Sequence, residues 1–109
     1  MTYVIATEYS KHPSARYEDE GTFGGEQLRI IIAPLLRAAI QNKEKFQLVL
    51  DGTSGYGTSF LEEVFGGLIR GEHIAYDDIK SYLVIISAEE PELIDEINQY
   101  LDDAHAKES

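Results

Sequence analysis

The 109-residue sequence contains no cysteine, and its nine lysine and arginine residues are outnumbered by 20 aspartate and glutamate residues. Without cysteine there can be no disulfide, no thiolate nucleophile and no zinc–thiolate site, which fits a reducing compartment. The formal net charge of −11 repels nucleic-acid backbones and anionic membrane surfaces. We therefore expect neither a nucleic-acid partner nor a membrane partner.

Long apolar runs are missing as well. The purely apolar runs are only a few residues long, whereas a membrane-spanning helix needs about 20. The first residues, MTYVIATEYSK, lack the basic region and the long apolar segment of a secretory signal. We expect a cytoplasmic protein that forms a single domain over residues 1–109, a length that supports one hydrophobic core.

Short apolar runs alternate with segments of helical periodicity along the chain. The runs predict strands at residues 2–7, 46–50 and 81–87, and the periodic segments predict helices at about 26–40, 59–70 and from Pro91 onward. A polar stretch joins the first strand to the first helix, with a short strand predicted around Arg16 and Tyr17. The alternation predicts an α/β fold with a mostly parallel or mixed sheet of about four strands and three to four helices.

Two local features refine this outline. The run FQLVL at residues 46–50 is apolar at nearly every position, so we expect it to be the central strand and to be covered on both faces. Pro34 lies inside the first predicted helix, where it removes a backbone donor, and predicts a kink or a restart near Ala33.

The stretch GTSGYGTS at residues 52–59 follows the predicted central strand and precedes a helix, which is where ligands usually bind in parallel α/β folds. Its spacing fits the phosphate-binding pattern G-x-x-x-x-G-K-[ST], except that Thr58 replaces the lysine. Without that lysine, and with Glu62 and Glu63 in the next turn, the stretch lacks the positive charge that holds a nucleotide's outer phosphates. We expect no active NTPase and no bound cofactor.

A purely structural interpretation of the same stretch is also open. Ser59 followed by Glu62 matches an S-x-x-E capping box, which makes Ser59 the predicted helix cap and leaves Thr58 one residue outside the helix. The glycines of the stretch supply the positive φ angles or the close approach that a sharp turn needs. On this interpretation the segment is only a turn.

Three stretches together resemble a known family: RYEDEGTFGGEQLR, FQLVLDGTSGYGTSFLEEVFGGLIR and YLVIISAEEPELIDEINQYL. They resemble the STAS-like domain family of unknown function over nearly the whole chain. That family is similar to STAS domains such as bacterial anti-sigma-factor antagonists, in which a strand ends in a D-S-S-G turn before a helix. The resemblance implies a small, non-enzymatic STAS-like domain that binds another protein in bacterial regulation and signalling.

In the STAS relatives, a partner kinase of the histidine-kinase-like ATPase type phosphorylates the first serine of that turn. On this resemblance Gly57 stands in the place of the aspartate, Thr58 in that of the phosphorylated serine and Ser59 in that of the second serine. The residues we single out for partner binding or phosphorylation are Arg16, Asp51, Gly52, Thr53, Tyr56, Gly57, Thr58, Ser59 and Glu62.

Several of these side chains also have an interpretation from their own chemistry. We expect Asp51 to hydrogen-bond the turn amides in an Asx arrangement, and Arg16 either to bind a partner or to pair with a nearby acid. Glu62 and Glu63 could present an acidic patch to a basic partner. Tyr56 is expected to be exposed at the apex of the turn as an interface anchor, although a core position is equally compatible with the sequence.

Other functional classes have less support. The three histidines have no metal-ligand spacing, so we expect no metal site. The alternative to a protein-binding domain is a small-anion or nucleotide-binding module that uses the same turn without hydrolysis. An acidic antitoxin or nucleic-acid mimic would need its acids clustered on one face, whereas the sequence spreads them.

Overall fold

The computed structural model describes residues 1–13 and 24–108. Its sheet has three strands in the order β1-β2-β3, and both neighbouring pairs are parallel. The strands are β1 (Thr2–Val4), β2 (Phe46–Val49) and β3 (Leu83–Ile86). The prediction that the FQLVL run forms the central strand is confirmed.

Five helices connect and follow these strands within the described residues: α1 (Ile5–Glu8), α2 (Gly25–Gln41), α3 (Thr58–Arg70), α4 (Tyr76–Tyr82) and α5 (Glu92–Glu108). Helix α3 packs between α2 and α5. The predicted α/β class is therefore confirmed, and the described residues hold three strands of the roughly four expected and five helices where three to four were expected.

The first and last predicted strands are shorter than expected because helices take over part of each run. The backbone turns into the short helix α1 directly after Val4, and α1 buries Ile5 and Ala6 in the core. Helix α4, which the sequence pattern did not indicate, extends to Tyr82, so that the last strand begins only at Leu83.

Two helix boundaries also differ in detail from the predictions. Helix α2 runs without interruption through Pro34, so of the kink or restart predicted near Ala33 the restart is wrong. Pro34 lies on the exposed side of this helix, where solvent can satisfy the carbonyl that loses its donor. Helix α5 begins at Glu92, one residue after the predicted Pro91.

The core lies on one face of the sheet. Tyr3, Leu48 and Ile85 occupy one row across the three strands and pack into the hydrophobic cluster. In the neighbouring residues of β2, Gln47 is exposed and Val49 is only half-buried. The expectation that β2 is covered on both faces is therefore wrong: Phe46 and Leu48 are buried in the hydrophobic cluster, whereas the face of Gln47 and Val49 is partly open to solvent.

The short strand predicted around Arg16 and Tyr17 lies outside the described residues. Among the helices that the structure describes, none combines the length and the apolar character needed to cross a membrane.

Candidate functional site

The 52–59 turn connects the central strand to α3 at the carboxyl end of the sheet. Gly52 has φ +94° and Gly55 has φ +131°, conformations that other residues adopt only with strain. Gly57 instead has φ −77° and an extended backbone at the N-cap of α3. The requirement for positive φ therefore holds at two of the three glycines of the turn.

Asp51 ties the start of this turn to the loop after β3. Its carboxylate accepts hydrogen bonds from the backbone N–H groups of Ala88 at 3.1 Å and Glu89 at 2.8 Å. In the opposite direction, the N–H of Gly52 donates to the Glu89 carboxylate at 2.8 Å. The Asx arrangement expected for Asp51 is therefore wrong, because the carboxylate bonds to amides of the neighbouring loop.

The other side of the turn is held by the segment after α1. The N–H of Ser54 donates to the carbonyl of Lys11 at 2.8 Å, and the Ser54 hydroxyl lies 3.0 Å from Nδ1 of His12. The N–H of His12 in turn donates to the hydroxyl of Ser10 at 2.9 Å. This pairing could not be predicted from the sequence, because 42 positions separate His12 from Ser54 and no local motif links them.

Tyr56 is half-buried and faces inward. Its hydroxyl donates to the carbonyl of Leu50 at 2.7 Å, and its ring lies against Phe60 with the centroids 5.9 Å apart. Burial is the largest cause that raises the pKa of Tyr56 to about 12; the nearby carboxylates raise it further, and a hydrogen bond to Thr53 lowers it. The sequence was compatible with an exposed or a core position for Tyr56. In the structure its ring packs against the core.

Thr58 and Ser59 lie in the first turn of α3, and both are exposed. The helix begins at Thr58 with Gly57 as N-cap, and no side chain caps it. The predicted capping role of Ser59 and the position of Thr58 outside the helix are therefore wrong. Thr53 instead bonds within the turn, where its hydroxyl accepts from the N–H of Gly55 at 3.3 Å.

Glu62 and Glu63 both form ion pairs. The pair of Glu62 is partly exposed, and that of Glu63 is buried. Glu62 receives both arms of the Arg70 guanidinium at 2.5 and 2.7 Å. Glu63 is only 5% exposed and pairs with Arg29 of α2, which also contacts Glu72 at 3.0 Å. The expected acidic patch is therefore wrong for Glu63, because its charge is buried against an arginine.

The glycines of α3 make room for this ion-pair network. A Cβ atom at Gly67 would lie 2.6 Å from Cδ of Arg29. Gly67 is thus packed against a charged side chain. Beside the network, a cleft of about 450 Å³ opens between α3 and α5, lined by Glu62, Glu63, Arg70, Tyr100, Asp103, Ala104 and Lys107.

The described residues bring together no group of three histidine, aspartate or glutamate side chains that could hold a metal ion. His105 stacks on Tyr76 with ring centroids 4.2 Å apart, whereas His12 contacts Ser54 of the turn. Arg16, the remaining predicted site residue, lies outside the part of the chain that the structure describes.

The sequence model of the STAS-like domain of unknown function (DUF4325) matches residues 24–93. The chain belongs to this family. The match covers well over half of the 109 residues and includes α2, the central strand, the 52–59 turn, α3 and β3. No curated protein and no solved structure matches the chain.

Membership in this STAS-like family agrees with a regulatory or binding role. The family match includes the 52–59 turn and the Asp51–Glu89 bonds, but it begins after Lys11 and His12. The contact of His12 with the turn is therefore a feature of this chain that the matched region does not contain.

Proposed function

We propose that this STAS-like chain is a non-enzymatic, protein-binding regulatory domain of bacterial signalling that acts through the 52–59 turn and the first turn of α3. In this proposal residues 1–109 form a single domain, which works in the cytoplasm. The observation that carries the proposal is the way the turn is built: it lies at the carboxyl end of the central strand, and the backbone N–H groups of Gly52, Ser54 and Gly55 are already bonded within the chain.

The bonding of these donors favours a protein surface over a ligand cradle. A phosphate-binding loop surrounds its anion with free backbone N–H groups. Here the N–H of Gly52 donates to Glu89, that of Ser54 to Lys11 and that of Gly55 to Thr53. The alternative, a small-anion or nucleotide-binding module without hydrolysis, would have to break these three bonds to use the N–H groups of residues 52–55, and we rank it second for that reason.

The proposed contact surface has an exposed part and a supporting part. Gly52, Thr58 and Ser59 are exposed, and a partner can reach them directly. The supporting residues are partly buried; they stabilise the turn and form the edge of the surface. They are Asp51, Thr53, Tyr56, Gly57 and Glu62. Arg16 completes the proposed set from outside the described residues.

We further propose that phosphorylation of a hydroxyl in this turn regulates binding, and that the partner is a histidine-kinase-like ATPase. The family resemblance motivates this choice, and the exposure of Thr58 and Ser59 is compatible with it. A phosphate at the start of α3 would be attracted by the helix dipole. The nearest acid of the helix, Glu62, is paired with Arg70, which reduces its repulsion of the added charge.

The test is binding to a partner captured from the organism that carries the gene, followed by titration of the purified pair. Thr58→Glu places one negative charge on the proposed surface, and Gln41→Glu places the same charge at the end of α2, by the amino end of the strands. We expect Thr58→Glu to weaken binding by about tenfold, or 1.4 kcal/mol, and Gln41→Glu to leave it unchanged.

Two results would contradict the proposal. Equal binding by wild type, Thr58→Glu and Gln41→Glu would place the interface elsewhere. A large rise in melting temperature on adding Mg-ATP would favour the nucleotide-binding alternative, because saturation at a hundredfold excess over Kd adds about 2.7 kcal/mol.

A further inference from the structure

The 52–59 turn carries four serine and threonine hydroxyls, and one of them has a base beside it. Thr53 accepts a bond from the N–H of Gly55 and is partly buried. Thr58 and Ser59 are exposed in the first turn of α3. Ser54 is exposed and lies 3.0 Å from Nδ1 of His12, which is hydrogen-bonding distance.

The geometry of this pair is fixed from both sides. On the serine side, Gly52 and Gly55 adopt positive φ angles, and the N–H of Ser54 is bonded to the Lys11 carbonyl at 2.8 Å. On the histidine side, the N–H of His12 is bonded to the Ser10 hydroxyl at 2.9 Å. The hydroxyl and the imidazole are therefore held together by the backbone rather than by chance contact of two side chains.

We propose that Ser54 is the phosphoryl acceptor of the turn and that His12 is its general base. The phosphoryl donor would be a nucleoside triphosphate held by the partner, so this inference rests on the proposed function. Oγ of Ser54 forms a bond to the γ-phosphorus, and the bond from that phosphorus to the bridging oxygen breaks. The nucleoside diphosphate leaves with the bonding electron pair, while the hydroxyl proton passes to Nδ1 of His12.

The surroundings fit an acceptor better than a hydrolase. A serine hydrolase needs backbone N–H donors aimed at the developing oxyanion. The N–H groups of Gly52, Ser54 and Gly55 are all bonded within the chain. The turn therefore supplies a nucleophile and a base, whereas the negative charge of a nucleoside triphosphate would be stabilised by groups of the partner.

Local charge also favours the phosphorylated product. Once protonated, His12 can donate a charge-assisted hydrogen bond to a phosphate on Ser54, and Lys11 is its neighbour in sequence. The two nearby carboxylates, Asp51 and Glu89, already accept backbone N–H groups of Ala88, Glu89 and Gly52. These bonds partly neutralise the two carboxylates.

Labelling with diisopropyl fluorophosphate tests the reactivity of Ser54 without a partner. In this reaction Oγ attacks phosphorus, the P–F bond breaks and fluoride leaves. We expect mass spectrometry to find the adduct on Ser54, formed at least about tenfold faster than on Ser59 or Ser81, because a positioned base contributes about 10²–10⁴-fold. Ser59 and Ser81 are matched controls, since both are exposed serines.

The role of His12 is tested with His12→Asn, whose amide keeps a hydrogen-bonding atom near Nδ1 but takes up no proton. We expect at least about a tenfold loss of labelling rate at Ser54 with an unchanged melting temperature. His105→Asn is the control, because its ring stacks on Tyr76 and should leave the rate unchanged. If His12→Asn alters folding, Ser10→Ala, which only removes the bond that orients His12, should also slow labelling.

The assignment of Ser54 and His12 as a nucleophile–base dyad is overturned if the adduct forms on Thr58 or Ser59 instead, if no serine is labelled, or if His12→Asn is labelled as fast as wild type. Its failure can be distinguished from failure of the proposed function. If the turn variants lose a partner while Ser54 is unreactive, only the dyad is wrong. If Ser54 is reactive but the turn variants bind normally, only the proposed surface is wrong.

Discussion

Asp51 and Glu89 hold each other's loops across the carboxyl edge of the sheet. The N–H of Glu89 donates to the Asp51 carboxylate at 2.8 Å, and the N–H of Gly52, next to Asp51, donates to the Glu89 carboxylate at 2.8 Å. The loop that opens the 52–59 turn and the loop that leads into α5 are therefore bonded in both directions. A change in one loop must be accommodated by the other.

Asp51→Ala should destabilise the domain by about 1–3 kcal/mol, because it removes the acceptor of two backbone N–H groups at Ala88 and Glu89. The measurement is urea unfolding followed by circular dichroism. Asp95→Ala is the control: it removes an exposed carboxylate of α5 and should change the free energy of unfolding by no more than about 0.5 kcal/mol. Equal effects of the two substitutions would mean that the Asp51 bonds add nothing to stability.

The buried ion pair of α3 leads to a second prediction. Glu63→Ala should cost about 3–5 kcal/mol, because it leaves the guanidinium of Arg29 in the α2–α3 interface without its main partner. Glu62→Ala removes the adjacent acid of the same helix, whose partner Arg70 is 40% exposed, and should cost no more than about 1 kcal/mol.

Thermal and urea unfolding of both variants check the order of these losses. Arg29 has a second contact with Glu72 at 3.0 Å. Because this contact still partly compensates the arginine in Glu63→Ala, we expect the loss of unfolding free energy to lie toward the lower end of the range. A smaller loss for Glu63→Ala than for Glu62→Ala would contradict the assignment of Glu63 to the core of the interface.

The order of strands and helices could be predicted from the sequence because it depends on local periodicity. The run at Phe46 and the stripe of apolar residues in α3 each identify their own element. The short helix α4 was missed because it is only seven residues long and starts among polar residues. Helix starts were displaced by one residue where capping depends on backbone conformation. Helix α3, for example, begins at Thr58 and not at the predicted Ser59.

The position of the 52–59 turn at the carboxyl end of the central strand was predictable for the same reason. Its bonding pattern was not, because it depends on residues brought together by the fold: His12 is 42 positions from Ser54, and Glu89 is 37 from Gly52. The inward orientation of Tyr56 likewise depends on a free carbonyl at Leu50, which follows the last paired residue of β2.

Tyr56 gives the last prediction. Tyr56→Phe keeps the ring against Phe60 but removes the hydroxyl that donates to Leu50, so it should cost about 0.5–1.5 kcal/mol at neutral pH. Burial raises the pKa of Tyr56 to about 12, whereas an unfolded tyrosine titrates near 10. The folded state therefore holds the phenol proton more tightly than the unfolded state does.

Because the folded-state pKa is raised, the stabilising contribution of Tyr56 is fully present below about pH 10 and is lost as the pH rises from there toward about 12. Urea unfolding of wild type and Tyr56→Phe between pH 8 and 11 should show a stability difference that is constant at first and then shrinks. Comparison with the variant cancels the titration of the other tyrosines. A difference that stays constant up to pH 11 would mean that the Tyr56 hydroxyl is open to solvent and available to a partner.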